Sequence, residues 1–211
     1  GRVMRAALDA EQAAAANVVG DAKAALAGAA RTLEAVYSVP HQNHATMETM
    51  NATARWTPER CEVWTPTQNG EAALAAAAEA AGLPPAKCEV YKLHLGGGFG
   101  RREADTTIYA AIMAKAVEGR PVKVTWSREE DVRHDTYRPA AKGRFRARLG
   151  EDGLPVALDM RIAAPSIIGS VMHRTFPSLS PAGPDGTITQ GAHDQPYTIA
   201  DYRVSGAKAD L

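Results

Sequence analysis

A chain of 211 residues, 45% apolar and 23% charged, is long enough to bury a core without a disulfide or metal staple. At this size folding removes roughly 70% of the unfolded surface from water. Its 24 basic and 24 acidic side chains cancel, which removes any broad electrostatic case for nucleic acid or an anionic membrane surface.

Residues 20–30 form an alanine-rich helical stretch, followed by a strand-like run from Thr32 to Val39 that Pro40 ends. Met50–Trp56 and Cys61–Thr65 alternate as strands around the turn residues Thr57, Pro58 and Glu59. The next helix is marked at both ends. Asn69 can cap it, Glu71 lies in its first turn, and Gly82 with Pro84 stops it. Between them runs AALAAAAEAA, near the top of the helix scale. Cys88–Leu95 reads as a strand, and glycines follow it over 96–100. Asp105 is placed to cap a second helix running to Glu118, and its apolar content predicts burial. Val122–Trp126 is a further strand, and Ser127 with Glu130 makes a capping box for SREEDV.

Lys142–Leu149 alternates strictly, with Phe145, Ala147 and Leu149 on one face and Arg144, Arg146 and Arg148 on the other. The EDG turn at 151–153 leads to Leu154–Ile162, predicting a hairpin with one buried face. Its basic strip reads first as solvated, and second as a contact for a further domain. Residues 173–198 turn to Pro, Ser, Gly and Asp and read as one long loop, before a last strand at Tyr202–Ala207. Strands and helices without regular βαβ alternation, and without repeats, indicate an α+β fold of one large or two small domains.

Cys61 and Cys88 are the only cysteines and form no CxxC pair. They read as small buried hydrophobes, with a disulfide as the alternative. No run approaches the ~20 apolar residues of a membrane span, so direct membrane insertion is not expected. The chain opens on Gly1 without a signal peptide or initiator methionine. That is the pattern of a piece cut from a longer polypeptide, with room for a targeting sequence upstream.

LHLGGGFGRRE at 93–103 carries the most chemical information. Four glycines between a strand and a helix let backbone N–H groups approach a ligand and make positive φ inexpensive. The following helix adds its positive end, so the loop favours an anion or a metal-bound oxygen. GxGxxG fails because Arg101 stands where the third glycine belongs, and the GKS or GKT of a P-loop is absent. Taken alone, the loop also reads as a simple tight turn.

Four segments in order resemble the large subunit of the xanthine dehydrogenase and aldehyde oxidase family of molybdenum hydroxylases. They are YSVPHQNHATMETM (37–50), WTPTQNGEAAL (64–74), GGGFG (96–100) and GRPVKVTWSREEDV (119–132). YTIADYRV at 197–204 fits as well, and residues 37–164 are the best-matched core. The spellings HATMET, TPTQNG and GGGFGRR are most similar to the isoquinoline 1-oxidoreductase and aldehyde dehydrogenase branch.

The resemblance implies a piece of a molybdenum-cofactor-binding large subunit whose parent hydroxylates an N-heterocycle or oxidises an aldehyde with water-derived oxygen. It also implies a molybdenum–molybdopterin cytosine dinucleotide in the full-length enzyme, expected to be absent from this piece. Electrons would leave through iron–sulfur clusters of a small 2Fe–2S subunit. The rest of the large subunit is the second expected partner. The family's catalytic glutamate region lies beyond these residues, so the piece alone is expected to be inactive. The alternative is a stand-alone ligand-binding or assembly module with the same fold. The compartment is left open between cytoplasm and, given a twin-arginine signal on the parent, periplasm.

By the same resemblance Gln68 hydrogen-bonds an oxygen of the cofactor, against the plainer reading that it helps cap the following helix. Gly97, Gly98, Phe99 and Gly100 line the cofactor. The Phe99 N–H points at an oxygen and its ring limits the substrate pocket, against a core phenylalanine. Glu48 matches a substrate-facing glutamate, against a structural carboxylate. Arg101 and Arg102 replace a small residue and a lysine; they either balance cofactor charge, bind a partner or are solvated. His41, His44 and Glu48 fall at i, i+3 and i+7, but a zinc site would need a helix just after Pro40. No protein metal ligand is expected.

Overall fold

In the computed structural model, residues 2–10, 13–103, 105–170 and 183–210 are described. Ten of the 26 residues of the expected loop at 173–198, residues 173–182, therefore lie outside the described residues. Its remainder includes a single 3₁₀ turn at Gly186–Thr189. The elements run α1 (Arg2–Asp9), β1 (Ala14–Val19), α2 (Ala22–Ala27), β2 (Leu33–Val39), β3 (Asn51–Trp56), β4 (Cys61–Thr65) and α3 (Gly70–Ala81). There follow β5 (Cys88–Lys92), α4 (Asp105–Lys115), β6 (Pro121–Thr125), α5 (Arg128–Arg133), β7 (Ala141–Leu149), β8 (Pro155–Ala164) and β9 (Asp201–Lys208). None of the described helices is long and apolar enough to cross a membrane.

The chain divides into two compact units, one made of residues 1–42 and 139–211 and the other of residues 43–138. Each holds a mixed sheet with helices packed on it, which is the α+β organisation expected. In the first unit the strand order is β1-β9-β8-β7-β2, antiparallel except for the parallel β8–β9 pair. Register sorts its side chains by face. Phe145, Met160 and Val204 align across the sheet, as do Ala147, Leu158 and Tyr202, and all of these but Ala147 form an apolar cluster with Ile199. The opposite face aligns Arg144, Arg161 and Ser205. Arg144 donates to Asp9 of α1 (2.8 Å) and to the Leu8 carbonyl (3.2 Å). The basic strip is thus not simply solvated: at Arg144 it is covered by a helix. Leu149, expected inside, is 46% exposed.

The second unit has the order β5-β4-β3-β6, with β4–β5 parallel. Asn69 accepts from the Ala72 N–H (3.1 Å) and Gly82 closes α3 in the left-handed region, as the sequence predicts. Alanines then face alanines: Ala77 and Ala81 of α3 and Ala110, Ala111 and Ala114 of α4 pack with Ala52, Ala54 and Val63 of the sheet. Small side chains let helix and sheet backbones approach, and one added methylene there costs typically 1–3 kcal/mol. The predicted burial of α4 holds only for this alanine face. Tyr109, Ile112 and Met113 on its other side are about half exposed. The helix also stops at Lys115 instead of Glu118, the chain turning back at Gly119, where φ is +76°.

Cys61 and Cys88 face each other across the β4–β5 ladder, and both are free thiols. Burial, with help from Cys88 and Glu62, pushes the Cys61 thiol up to about 11. It behaves as a small hydrophobe and not as a nucleophile.

Candidate functional site

The site lies within the second unit and begins where β4 hands over to α3. Asn69 caps the helix, so Gln68 is free for another task. Gln68 Oε1 accepts from the backbone N–H of Gly100 (3.0 Å) and of Arg102 (3.2 Å), and the Gln68 N–H donates to the Arg102 carbonyl (2.9 Å). Two backbone donors fix which end of the amide is oxygen. The Nε2 donor is left without a partner among the described residues. Thr67, fully buried, ties the same junction down: its hydroxyl accepts from the Asn69 N–H (3.1 Å) and lies 3.3 Å from the Arg102 carbonyl.

Residues 96–100 close over this amide. A Cβ at Gly96 would fall 2.4 Å from Glu48 Cβ, and one at Gly98 would fall 2.6 Å from Gln68 Oε1, so a side chain at either position forces its neighbour to move and at Gly98 displaces the Gln68 amide. Phe99 sits at φ +54° with its ring 63% exposed. A bulky residue held in the left-handed region costs of order 1–2 kcal/mol and clusters at functional sites. Exposure removes the reading of Phe99 as a core residue. The N–H groups of Gly97, Gly98 and Phe99 donate to no described residue.

Beneath the loop sit two arginines that the sequence left open among cofactor balance, a partner and solvent. The solvated reading is corrected: Arg101 is 2% exposed and Arg102 0%. Arg102 Nε donates to the Gly97 carbonyl (2.7 Å), its Nη2 donates to the Glu48 carbonyl, and it pairs with Glu48 Oε2 at 3.0 Å. Arg101 Nε lies 3.1 Å from Asp135 Oδ1, its Nη2 donates to the His134 carbonyl (3.2 Å), and its guanidinium covers the Trp126 ring. A charge engaged on these sides props the loop from below, so the expected direct cofactor contact of Arg101 gains no support from its surroundings.

Glu48 is used at both oxygens, Oε1 by Asn51 (2.9 Å) and Oε2 by the Gly96 N–H (2.8 Å) as well as Arg102. Burial opposes its charge, but the Asn51 amide, the Gly96 N–H and Arg102 outweigh burial and hold the carboxyl below its ordinary value. These contacts favour the structural carboxylate over a substrate-facing group. The His44 side chain is 7% exposed, with Nδ1 2.8 Å from Asp135 Oδ1 while the backbone N–H donates to Oδ2 (2.6 Å). Residues 41–46 form no helix, so the HxxH pattern does not assemble. No metal-binding cluster occurs among the described residues.

The loop segment therefore offers four donors without a partner among the described residues, namely three backbone N–H groups and the Gln68 Nε2, in a turn where a Cβ at Gly96 or Gly98 would displace Glu48 or Gln68. Such a set binds oxygens carrying negative charge and adds no charge of its own. It fits the oxygen-rich molybdenum group of the resemblance. Asp135, Thr67 and Arg128 escaped the sequence reading. Arg128 donates to the Thr46 carbonyl (2.6 Å) and the Met47 carbonyl (2.9 Å), and so pins the segment that carries Glu48.

A molybdopterin cofactor-binding domain model matches residues 8–208. The chain is 33% identical over 153 residues to the isoquinoline 1-oxidoreductase subunit beta of Brevundimonas diminuta, covering 71% of this chain and 20% of that one. It is 30% identical over 142 residues to the aldehyde oxidoreductase molybdenum-binding subunit PaoC of Escherichia coli K12, covering 66% and 19%. It thus spans about a fifth of the length of these relatives. Among solved structures, the Desulfovibrio gigas aldehyde oxidoreductase superposes with a TM-score of 0.60 at 21% identity, over 92% of this chain and 20% of that one. Quinoline 2-oxidoreductase from Pseudomonas putida 86 superposes at 0.59 and 20% identity, over 97% and 27%.

Proposed function

The chain belongs to the molybdopterin cofactor-binding domain family of molybdenum hydroxylases, and on that premise we propose that residues 96–100 with Gln68 hold the oxygen-bearing end of the molybdenum cofactor. One observation carries this reading. The Gln68 amide oxygen is spent on Gly100 and Arg102, which leaves its Nε2 donor and the N–H groups of Gly97, Gly98 and Phe99 without an acceptor among the described residues. The cofactor, when bound, supplies the redox chemistry. The chain's own residues orient it. Nε2 and the three N–H groups donate to its oxygens, the Phe99 ring bounds the substrate space, and Arg102 with Glu48 keeps the loop from relaxing.

On the same reading the parent enzyme takes an aldehyde or an N-heterocycle, inserts oxygen derived from water, and passes electrons to an iron–sulfur partner subunit. The cofactor is proposed to be the cytosine dinucleotide form. The relatives named above support this substrate range.

The test uses the parent large subunit purified with its partner from molybdate-supplemented cells. Molybdenum and pterin are measured per polypeptide, and turnover is followed with an aromatic aldehyde and with isoquinoline. We expect near-stoichiometric molybdenum in the wild type and a severalfold loss in Gly98→Ala. A parent subunit that carries neither molybdenum nor pterin would overturn the proposal.

A further inference from the structure

The first unit contains a cavity of about 400 Å³ between α2 and the basic face of its sheet. Lys23, Arg144, Arg146, Arg161 and Arg203 line it, with Asp159 as the single acid among the lining residues. Partners reach three of these cations. Arg144 has Asp9 at 2.8 Å, Arg146 has Glu34 at 3.2 Å, and Arg203 has Asp159 at 3.8 Å. Among the described residues, five cations against three carboxylates leave an excess of two, at Lys23 and Arg161.

Arg161 is the telling residue. Its Nε and Nη2 are buried and make no hydrogen bond among the described residues. Those two donors form one edge of the guanidinium, the edge whose spacing matches two oxygens of a phosphate or carboxylate. Burial pulls Arg161 below its ordinary pKa and the neighbouring Arg144 and Arg203 add to the effect, while Asp159 and Asp9 oppose it without cancelling it. A buried charged donor with no acceptor is expensive to keep. We propose that this cavity binds a small doubly charged oxyanion of the phosphate class, with Arg161 as the bidentate anchor and Lys23, Arg144 and Arg203 around it. The site lies within one compact unit, shares no residue with the glycine loop, and stands whether or not the cofactor reading does.

The experiment is calorimetric titration of the 211-residue chain with inorganic phosphate, and separately with acetate, at matched ionic strength. Phosphate is expected to bind one-to-one with a millimolar or tighter Kd, and acetate at least tenfold more weakly. Arg161→Met should weaken phosphate at least tenfold and Lys23→Met severalfold. Arg148→Met, on β7 with Arg144 and Arg146 but not lining the cavity, should bind as the wild type does. In phosphate-free buffer Arg161→Met should melt no lower than wild type, because it removes an unmet charge. Absence of phosphate binding overturns the proposal, as does equal weakening by Lys23→Met and Arg148→Met, which means diffuse attraction. Equal affinity for acetate overturns the phosphate class. If Arg161→Met does not fold, the Lys23→Met and Arg148→Met pair decides.

Discussion

Gly98→Ala probes the contact on which the site depends. Gly98 is not in the left-handed region, so alanine there meets no backbone strain. The whole effect is steric. The new Cβ would stand 2.6 Å from Gln68 Oε1, 2.7 Å from Cδ and 3.1 Å from Cγ. Gln68 is exposed and its end can swing away. Swinging breaks the bonds from the Gly100 and Arg102 N–H groups. Each such bond is worth about 0.5–1.5 kcal/mol net, and water replaces part of it. The expected loss of stability is therefore about 1–2 kcal/mol, well below the cost of a core clash. Urea denaturation reads that loss, and amide hydrogen exchange reads its location, with Gly100 and Arg102 exchanging about tenfold faster. Gly70→Ala is the control. Its Cβ meets nothing within 4 Å at the start of α3, and alanine there is neutral or stabilising by up to about 1 kcal/mol. Wild-type exchange at both amides in Gly98→Ala would refute the reasoning, because it would mean that Gln68 does not hold the loop.

Glu48→Gln is expected to cost about 1–3 kcal/mol in urea, less than a fully buried pair because the Glu48 side chain is 34% exposed while Arg102 is 0%. Because the folded carboxyl sits below 4.5, its contribution is complete above that value and is lost as pH falls through the lower folded value. Denaturation midpoints between pH 7 and pH 3 should fall more steeply in wild type than in Glu48→Gln. Asn69→Ala removes the α3 cap and should cost about 0.5–2 kcal/mol by the same assay. Ala77→Val overfills the alanine layer and should cost about 1–3 kcal/mol. Phe99→Gly should raise stability by about 1 kcal/mol, by releasing the left-handed strain at φ +54°; unchanged or lower stability counts against strain there.

Local signals carried much of the fold. The caps Asn69 and Gly82, the strands on either side of Thr57–Glu59 and the 96–100 turn are written in residues a few positions apart, and all were legible. Element β1 was not, because alanine over 13–16 gives no alternation to separate helix from strand, and α1 was missed although Met4 and Leu8 stand at helical spacing. The site divides in the same way. Gln68 and the glycines are visible as types suited to donating hydrogen bonds. Asp135 lies 91 residues from His44, and no local period reports such a pairing. The burial of Arg101 and Arg102 had the same cause. Two adjacent arginines after a glycine turn look solvent-facing until the segments carrying Glu48 and Asp135 fold around them.

Those arginines explain how the loop stays unrelaxed. Left alone, N–H groups at 97–99 would turn toward water or a neighbouring carbonyl, and Phe99 would leave the left-handed region. Instead Arg102 holds the Gly97 carbonyl and the Glu48 carboxylate, Glu48 holds the Gly96 N–H, and Gln68 holds Gly100. None of these contacts uses the N–H groups of Gly97, Gly98 or Phe99. Hydrogen bonds that fix a loop while leaving its donors free are preorganisation, and preorganised donors stabilise charge without reorganising when it arrives. On this argument the strain at Phe99 is retained for function, and its release by glycine should stabilise the chain while weakening cofactor retention in the parent subunit.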